Sequence, residues 1–118
     1  MNRLESCIVY SMNGTTVHES LHALIARFCT DPAWENKLPG SLELRLDHGQ
    51  QGVYLFQGGP SPSVEKDAGG GDSKWELSSS TFEHLCHHKI SPQEAFHLGE
   101  LRIQGNVAVS LLFCELFV

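Results

Sequence analysis

The stretch Ser91 to Leu116, SPQEAFHLGELRIQGNVAVSLLFCEL, constrains the fold more than any other, because it dictates a short helix, a strand and a second helix in quick succession. Ser91 can cap a helix that opens on Pro92, and Glu94 stands three residues later to close a capping box. Ala95, Phe96 and Leu98 give that helix an apolar side, and Gly99 offers the permissive backbone at which helices end. Leu101 and Ile103 then alternate with Glu100, Arg102 and Gln104, the period of a strand with one buried face. Gly105 turns the chain and Asn106 can cap a last helix, in which Val107 to Leu116 is apolar except for Ser110 and Glu115. A helix apolar nearly all round is expected to be buried on most sides. The stretch contains no acid/base pair, nucleophile elbow or phosphate loop, so it reads as architecture.

Upstream, Thr16 and Glu19 form a capping box ahead of Leu21, Leu24, Ile25 and Phe28, a helical stripe at three-and-four spacing. Asp31-Pro32 starts a short helical turn carrying Trp34. Ser41 to Asp47 alternates leucines with charged residues and predicts a strand with one wet face. Val53 to Gln57 is apolar on both faces, Ser63 to Lys66 is a weaker strand, and Lys74 to Ser78 puts Trp75 and Leu77 on one side. Asp67 to Asp72, rich in glycine, reads as a hairpin connection; no Gly-Lys-Ser/Thr and no helix follow it, which argues against a phosphate loop. Ser80 and Glu83 predict a capping box for a helix turning Phe82, Leu85 and Cys86 inward. Strands followed by two helices, a strand and a helix give an α+β fold of one domain, about two thirds of whose unfolded surface can be buried at 118 residues. Residues 1–14 fit a helix through Leu4, Cys7 and Ile8, or a strand through Cys7 to Tyr10. They are set apart as an N-terminal extension to a domain at 15–118.

A net charge of −6 without a cluster of Lys or Arg lacks the footprint of a nucleic-acid binder and weakens attraction to anionic membranes. Cys7, Cys29, Cys86 and Cys114 have neither disulfide-framework nor Cys-x-x-Cys spacing and read as reduced core thiols. His84 and His88 lie four apart, a spacing that on a helix lets two imidazoles grip one metal, with His97 or Cys86 as further ligands. No Glu follows the first His, Cys86 points far round the helix, and a solvent-facing histidine patch is the preferred reading. No metal or cofactor is therefore expected, and with no Gly-x-Ser-x-Gly and no nucleophile paired to a base, no enzyme either. No apolar leader or spanning segment is read, and a cytoplasmic protein is expected.

The run SPQEAFHLGELRIQGN resembles the signature of the sterol carrier protein 2 domain: a helix opening on a polar residue and Pro, an Ala-Phe pair, a Gly, a Leu-x-Ile strand, then Gly-Asn and a final apolar helix. The similarity continues upstream through TFEHLCHHKI and the strands from Ser41. It implies an SCP2-like α+β domain with a five-stranded sheet covered by helices, a hydrophobic tunnel, and non-enzymatic binding and transfer of a fatty acyl, sterol-like or isoprenoid lipid, with transient membrane contact. On that resemblance the expected lining residues are Phe82, Leu85, Phe96, Leu98, Val107, Leu111 and Leu112, with Trp34 and Phe56 beside them. Where the family carries a second Phe and a tunnel-facing Gln before the Gly, this chain has His97 and Leu98, which implies a more apolar tunnel. Some relatives work in peroxisomes, but Glu115-Leu116-Phe117-Val118 is not the small-basic-leucine address. The alternative is an interaction module of the same fold with a filled core. The oligomeric state stays open.

Overall fold

The computed structural model describes the backbone of residues 16–117 and the side chains of 19–117. The 1–14 extension, the domain boundary beside it and the Thr16 side chain of the predicted capping box lie outside these residues. Helix α1 (Thr16–Thr30) is followed by a 3-10 turn (Pro32–Trp34), strands β1 (Ser41–Leu46), β2 (Val53–Gln57), β3 (Ser63–Lys66) and β4 (Ser73–Leu77), helices α2 (Ser79–Cys86) and α3 (Pro92–His97), strand β5 (Leu101–Gly105), helix α4 (Val107–Phe113) and a final 3-10 turn (Cys114–Phe117). The five strands make one mixed sheet in the order β3-β2-β1-β4-β5. Only β1 and β4 are parallel; the other neighbours run antiparallel.

The register sorts the side chains as a period of two requires. Leu42, Leu44 and Leu46 of β1 share the inner face with Tyr54 and Phe56 of β2, Val64 of β3, and Trp75 and Leu77 of β4. The helices cover that face: α1 packs on α2 and β3, and α4 on β1 and β4. Leu21, Leu24, Ile25 and Phe28, the predicted stripe of α1, are all buried there. Phe28 meets Phe56 edge-on at 5.2 Å, Phe56 meets Phe113 at 5.0 Å, and Phe113 meets Trp75 at 4.9 Å, an aromatic chain that fills the space between sheet and helices.

The outer face of β1 is not the wet face its alternation predicts. Because β3 and β4 both run parallel to β1, the connection 67–72 cannot be a hairpin; it must return along the sheet to reach the start of β4. It does so across the outer face, burying Glu43 and Leu55. Gly70 N–H donates to Glu43 Oε1 at 2.9 Å, and Asp72 accepts from Ser41 N–H at 3.0 Å. A Cβ on Gly71 would lie 2.9 Å from the Glu43 backbone nitrogen and 3.1 Å from Leu55, so the glycine is needed for this close approach.

The helix starts follow local chemistry, with one shift. The Ser91/Glu94 capping box is complete, Asn106 accepts from Val109 N–H at 3.1 Å, and Asp31 caps the first 3-10 turn. Helix α2, however, is capped by Ser78, which accepts from Thr81 N–H at 3.1 Å, and not by Ser80. The reason is tertiary: Asp47, in the β1–β2 turn, takes the Ser79 N–H at 2.9 Å and the Ser79 hydroxyl, fixing the helix start earlier. Cys86 and Cys114 are free thiols, but Cys29 is disulfide-bonded, which overturns the reading of all four cysteines as reduced. A bond made by the fold leaves no trace in close spacing along the chain. No helix among the described residues is long and apolar enough to cross a membrane.

Candidate functional site

The expectation that the last helix is buried on most sides holds on only one side. Val109 and Phe113 face the core, but Val107 is 67 % and Leu111 61 % exposed. They form one wall of a groove of about 460 Å³, within the range of small-molecule sites. The opposite wall comes from α3, through Pro92, Phe96 and His97, and Ile103 and Gly105 of β5 line it from the sheet. The capping box at Ser91 and the Asn106 cap aim the two short helices on either side of β5, so the motif most legible in the sequence is the one that shapes this cavity.

The polar group in the lining with the deepest connections is Ser110, which is buried. Trp75 Nε1–H donates to Ser110 Oγ at 3.2 Å, Ser110 and Ser73 share a short hydroxyl contact, and Ser73 Oγ donates to the Gln104 carbonyl at 3.1 Å. With Trp75 and Ser73 committed as donors, the Ser110 proton must go to Ser73. The relay is thus satisfied end to end, from α4 through β4 to β5, and offers a ligand no free donor. Cys114 also lines the groove; burial, its main cause, with Glu115 adding, pushes its thiol above the ordinary range, so it is no ready nucleophile. No Lys, Arg, Asp or Glu lines the cavity.

Of the residues the sequence singled out, Phe96, Val107 and Leu111 come together in this groove. Leu98, the C-cap of α3, is exposed just outside the lining. Leu112 is partly buried against the core. Phe82, Leu85, Trp34 and Phe56 lie in the core cluster, where Phe82 faces Phe117 and Trp34 faces Phe28. Ile103 and Ser110 were read as strand and helix residues only; their place in the groove depends on how β5 and α4 meet. The histidine pair does not share a helical face, because α2 ends at Cys86 and His88 sits at φ 59° with its Nδ1 3.1 Å from the Phe117 carbonyl oxygen. Among the described residues no three His, Cys, Asp or Glu side chains are gathered as metal ligands would be.

An α+β domain with a mixed five-stranded sheet, helices on one face and an apolar groove between its last helices is an architecture shared with solved structures. The sterol carrier protein domain 2 of Helicoverpa armigera superposes with a TM-score of 0.71 at 20 % identity, over 91 % of this chain and 92 % of that one. Palmitated sterol carrier protein 2-like 2 of Aedes aegypti gives 0.68 at 15 % identity, over 87 % and 95 %. A ubiquinone synthesis protein, UbiJ-SCP2, gives 0.60 at 19 % identity, over 92 % and 93 %. At these identities the likeness is one of fold. No curated protein sequence matches. The sequence pattern of the SCP-2 sterol transfer family matches residues 20–118, and the chain belongs to that family.

Proposed function

We propose that the chain is a non-enzymatic lipid carrier that holds the hydrocarbon part of a fatty acyl, sterol-like or isoprenoid lipid in the groove between α3, β5 and α4. The observation that carries this reading is the largely apolar lining: Phe96, Ile103, Val107 and Leu111 stand around a cavity of about 460 Å³ whose wall holds no Lys, Arg, Asp or Glu. Family membership supports a hydrophobic ligand, as does the palmitated state of the Aedes aegypti relative. Each methylene buried contributes about 0.8 kcal/mol, so a chain of ~16 carbons carries roughly 12 kcal/mol before association and ordering costs. Micromolar affinity, about 8 kcal/mol, then needs no elaborate polar recognition, and loose selectivity follows. Transfer proceeds by partition, without covalent chemistry.

Native mass spectrometry of the purified protein, followed by organic extraction, tests the proposal. A co-purified lipid is expected, displaced by added fatty acid and lost when Leu111→Trp plugs the groove. The continuous aromatic core, with Phe56 and Phe82 fully buried, favours a second reading: a filled-core accessory module that uses the same face for a protein partner. An apo mass with no thermal shift across acyl, sterol and quinone lipids would sink the carrier and leave that reading.

A further inference from the structure

The sheet ends at β5, which has a strand neighbour, β4, on one side only. Along an antiparallel ladder, opposed residues alternate between pairs that exchange both backbone hydrogen bonds and pairs that exchange none. Asn106 N–H donates to the Asp72 carbonyl at 2.9 Å, and the register then opposes Gln104 to Lys74, Ile103 to Trp75 and Arg102 to Glu76. That phase commits Gln104 and Arg102 to β4 and turns the N–H and C=O of Leu101, Ile103 and Gly105 to the free edge. Leu101 is only 1 % exposed, which closes off its edge groups, and Gly105, at φ 93°, has left the extended conformation. Ile103 therefore presents the one open, extended pair on this edge, and no hydrogen bond reaches either group from the described residues.

Ile103 also lines the groove. The other polar groups of the lining are the exposed Gln93 and His97, the Cys114 thiol, and Ser110, whose relay is already closed. One edge residue is too short to add a peptide strand, which needs such pairs repeated at every second residue. It matches a single residue of main chain: an N–H and a C=O one carbon apart, the N–H donating to the Ile103 carbonyl and the C=O accepting from the Ile103 N–H. A carboxylate or an ester supplies acceptors alone and leaves the Ile103 carbonyl facing oxygen. A sterol hydroxyl brings one proton and no carbonyl. We propose that the Ile103 main chain anchors the head of an N-acyl amino acid, whose hydrocarbon occupies the apolar groove. This rests on the carrier reading and places selectivity in the head of the ligand, not in its chain. The same unit occurs in a free N-acyl amino acid and at the acylated N-terminus of a protein.

Titration calorimetry of the full chain with three palmitoyl compounds tests the anchor. N-palmitoylglycine is expected to bind about tenfold tighter than O-palmitoylglycolic acid, which differs only in having oxygen in place of the N–H, and tighter than palmitate. In amide hydrogen exchange, N-palmitoylglycine should protect the Ile103 N–H more than palmitate does. Ile103→Pro deletes that N–H without touching the β4 ladder and should abolish the preference, whereas Ile103→Val should keep it. Should the proline variant fail to fold, the ligand series and the exchange measurement on the wild type decide alone. Equal affinity for N-palmitoylglycine and O-palmitoylglycolic acid, or an Ile103 amide protected equally by N-palmitoylglycine and palmitate, would overturn the anchor. If palmitate still binds, the carrier reading survives that result; if none of the three binds, it falls as well. A pentapeptide palmitoylated on an N-terminal glycine that binds as tightly as N-palmitoylglycine supports the anchor with an acylated protein terminus as its source, and weaker binding supports it with the free lipid.

Discussion

Ser110 shows how much one hydroxyl can hold. It receives the Trp75 indole proton and passes its own to Ser73, inside a region where neither partner meets water. Ser110→Ala leaves a buried indole N–H and a buried hydroxyl short of a partner, and is expected to cost about 1–3 kcal/mol in urea denaturation. Glu43 works on the opposite face. Burial alone would raise its pKa, but the Gly70 N–H and the Arg45 guanidinium, which donates at 3.2 and 3.1 Å, outweigh burial and hold it below the usual carboxylate range. A depressed folded-state pKa gives stability that is present above the unfolded pKa and lost as pH falls through the folded one. The stability difference between the wild type and Glu43→Gln should therefore be largest at neutral pH and shrink below about pH 4, as equilibrium unfolding across pH will read. Residues of this kind divide by the range of their partners. Ser91, Glu94 and Asn106 act on backbone three residues away, and the sequence reveals them. Ser78 was hidden among three successive serines because the choice belongs to Asp47, far off in the chain.

The elements were legible wherever one face was wet and the other dry, as in α1, β4 and β5. The connection 67–72 was not, because its route depends on strand order. A parallel partner reached without a helix forces the loop to lie flat on the sheet, and its composition answers that demand. Gly71→Ala is expected to destabilise by about 1–3 kcal/mol through overpacking against the β1 backbone, read as a lower urea midpoint with an unchanged slope. Helix α4 was misread for a related reason. Its sequence is apolar on every side, which indicates that something apolar belongs around it without saying whether that is protein. Here protein covers the Val109 and Phe113 side, and the groove takes the side of Val107 and Leu111.

At the scale of the whole molecule, a ligand that binds only the folded chain adds to its stability by mass action. At a hundredfold excess over its dissociation constant that is about 2.7 kcal/mol, a rise in melting temperature on the order of 10 °C for a domain this size. The shift is expected with long-chain lipids and should vanish in Leu111→Trp, as differential scanning fluorimetry can check. The Trp75–Ser110 hydrogen bond has one more consequence. Trp75 is fully buried, yet its indole is one bond from a residue that lines the groove, whereas Trp34 stands apart under Lys37 with the ammonium 4.9 Å from its ring. Replacing Trp34 with Phe would leave Trp75 as the single tryptophan, wired to the cavity, so its emission, excited selectively over the two tyrosines, would register the arrival of each unlabelled lipid as it is titrated in.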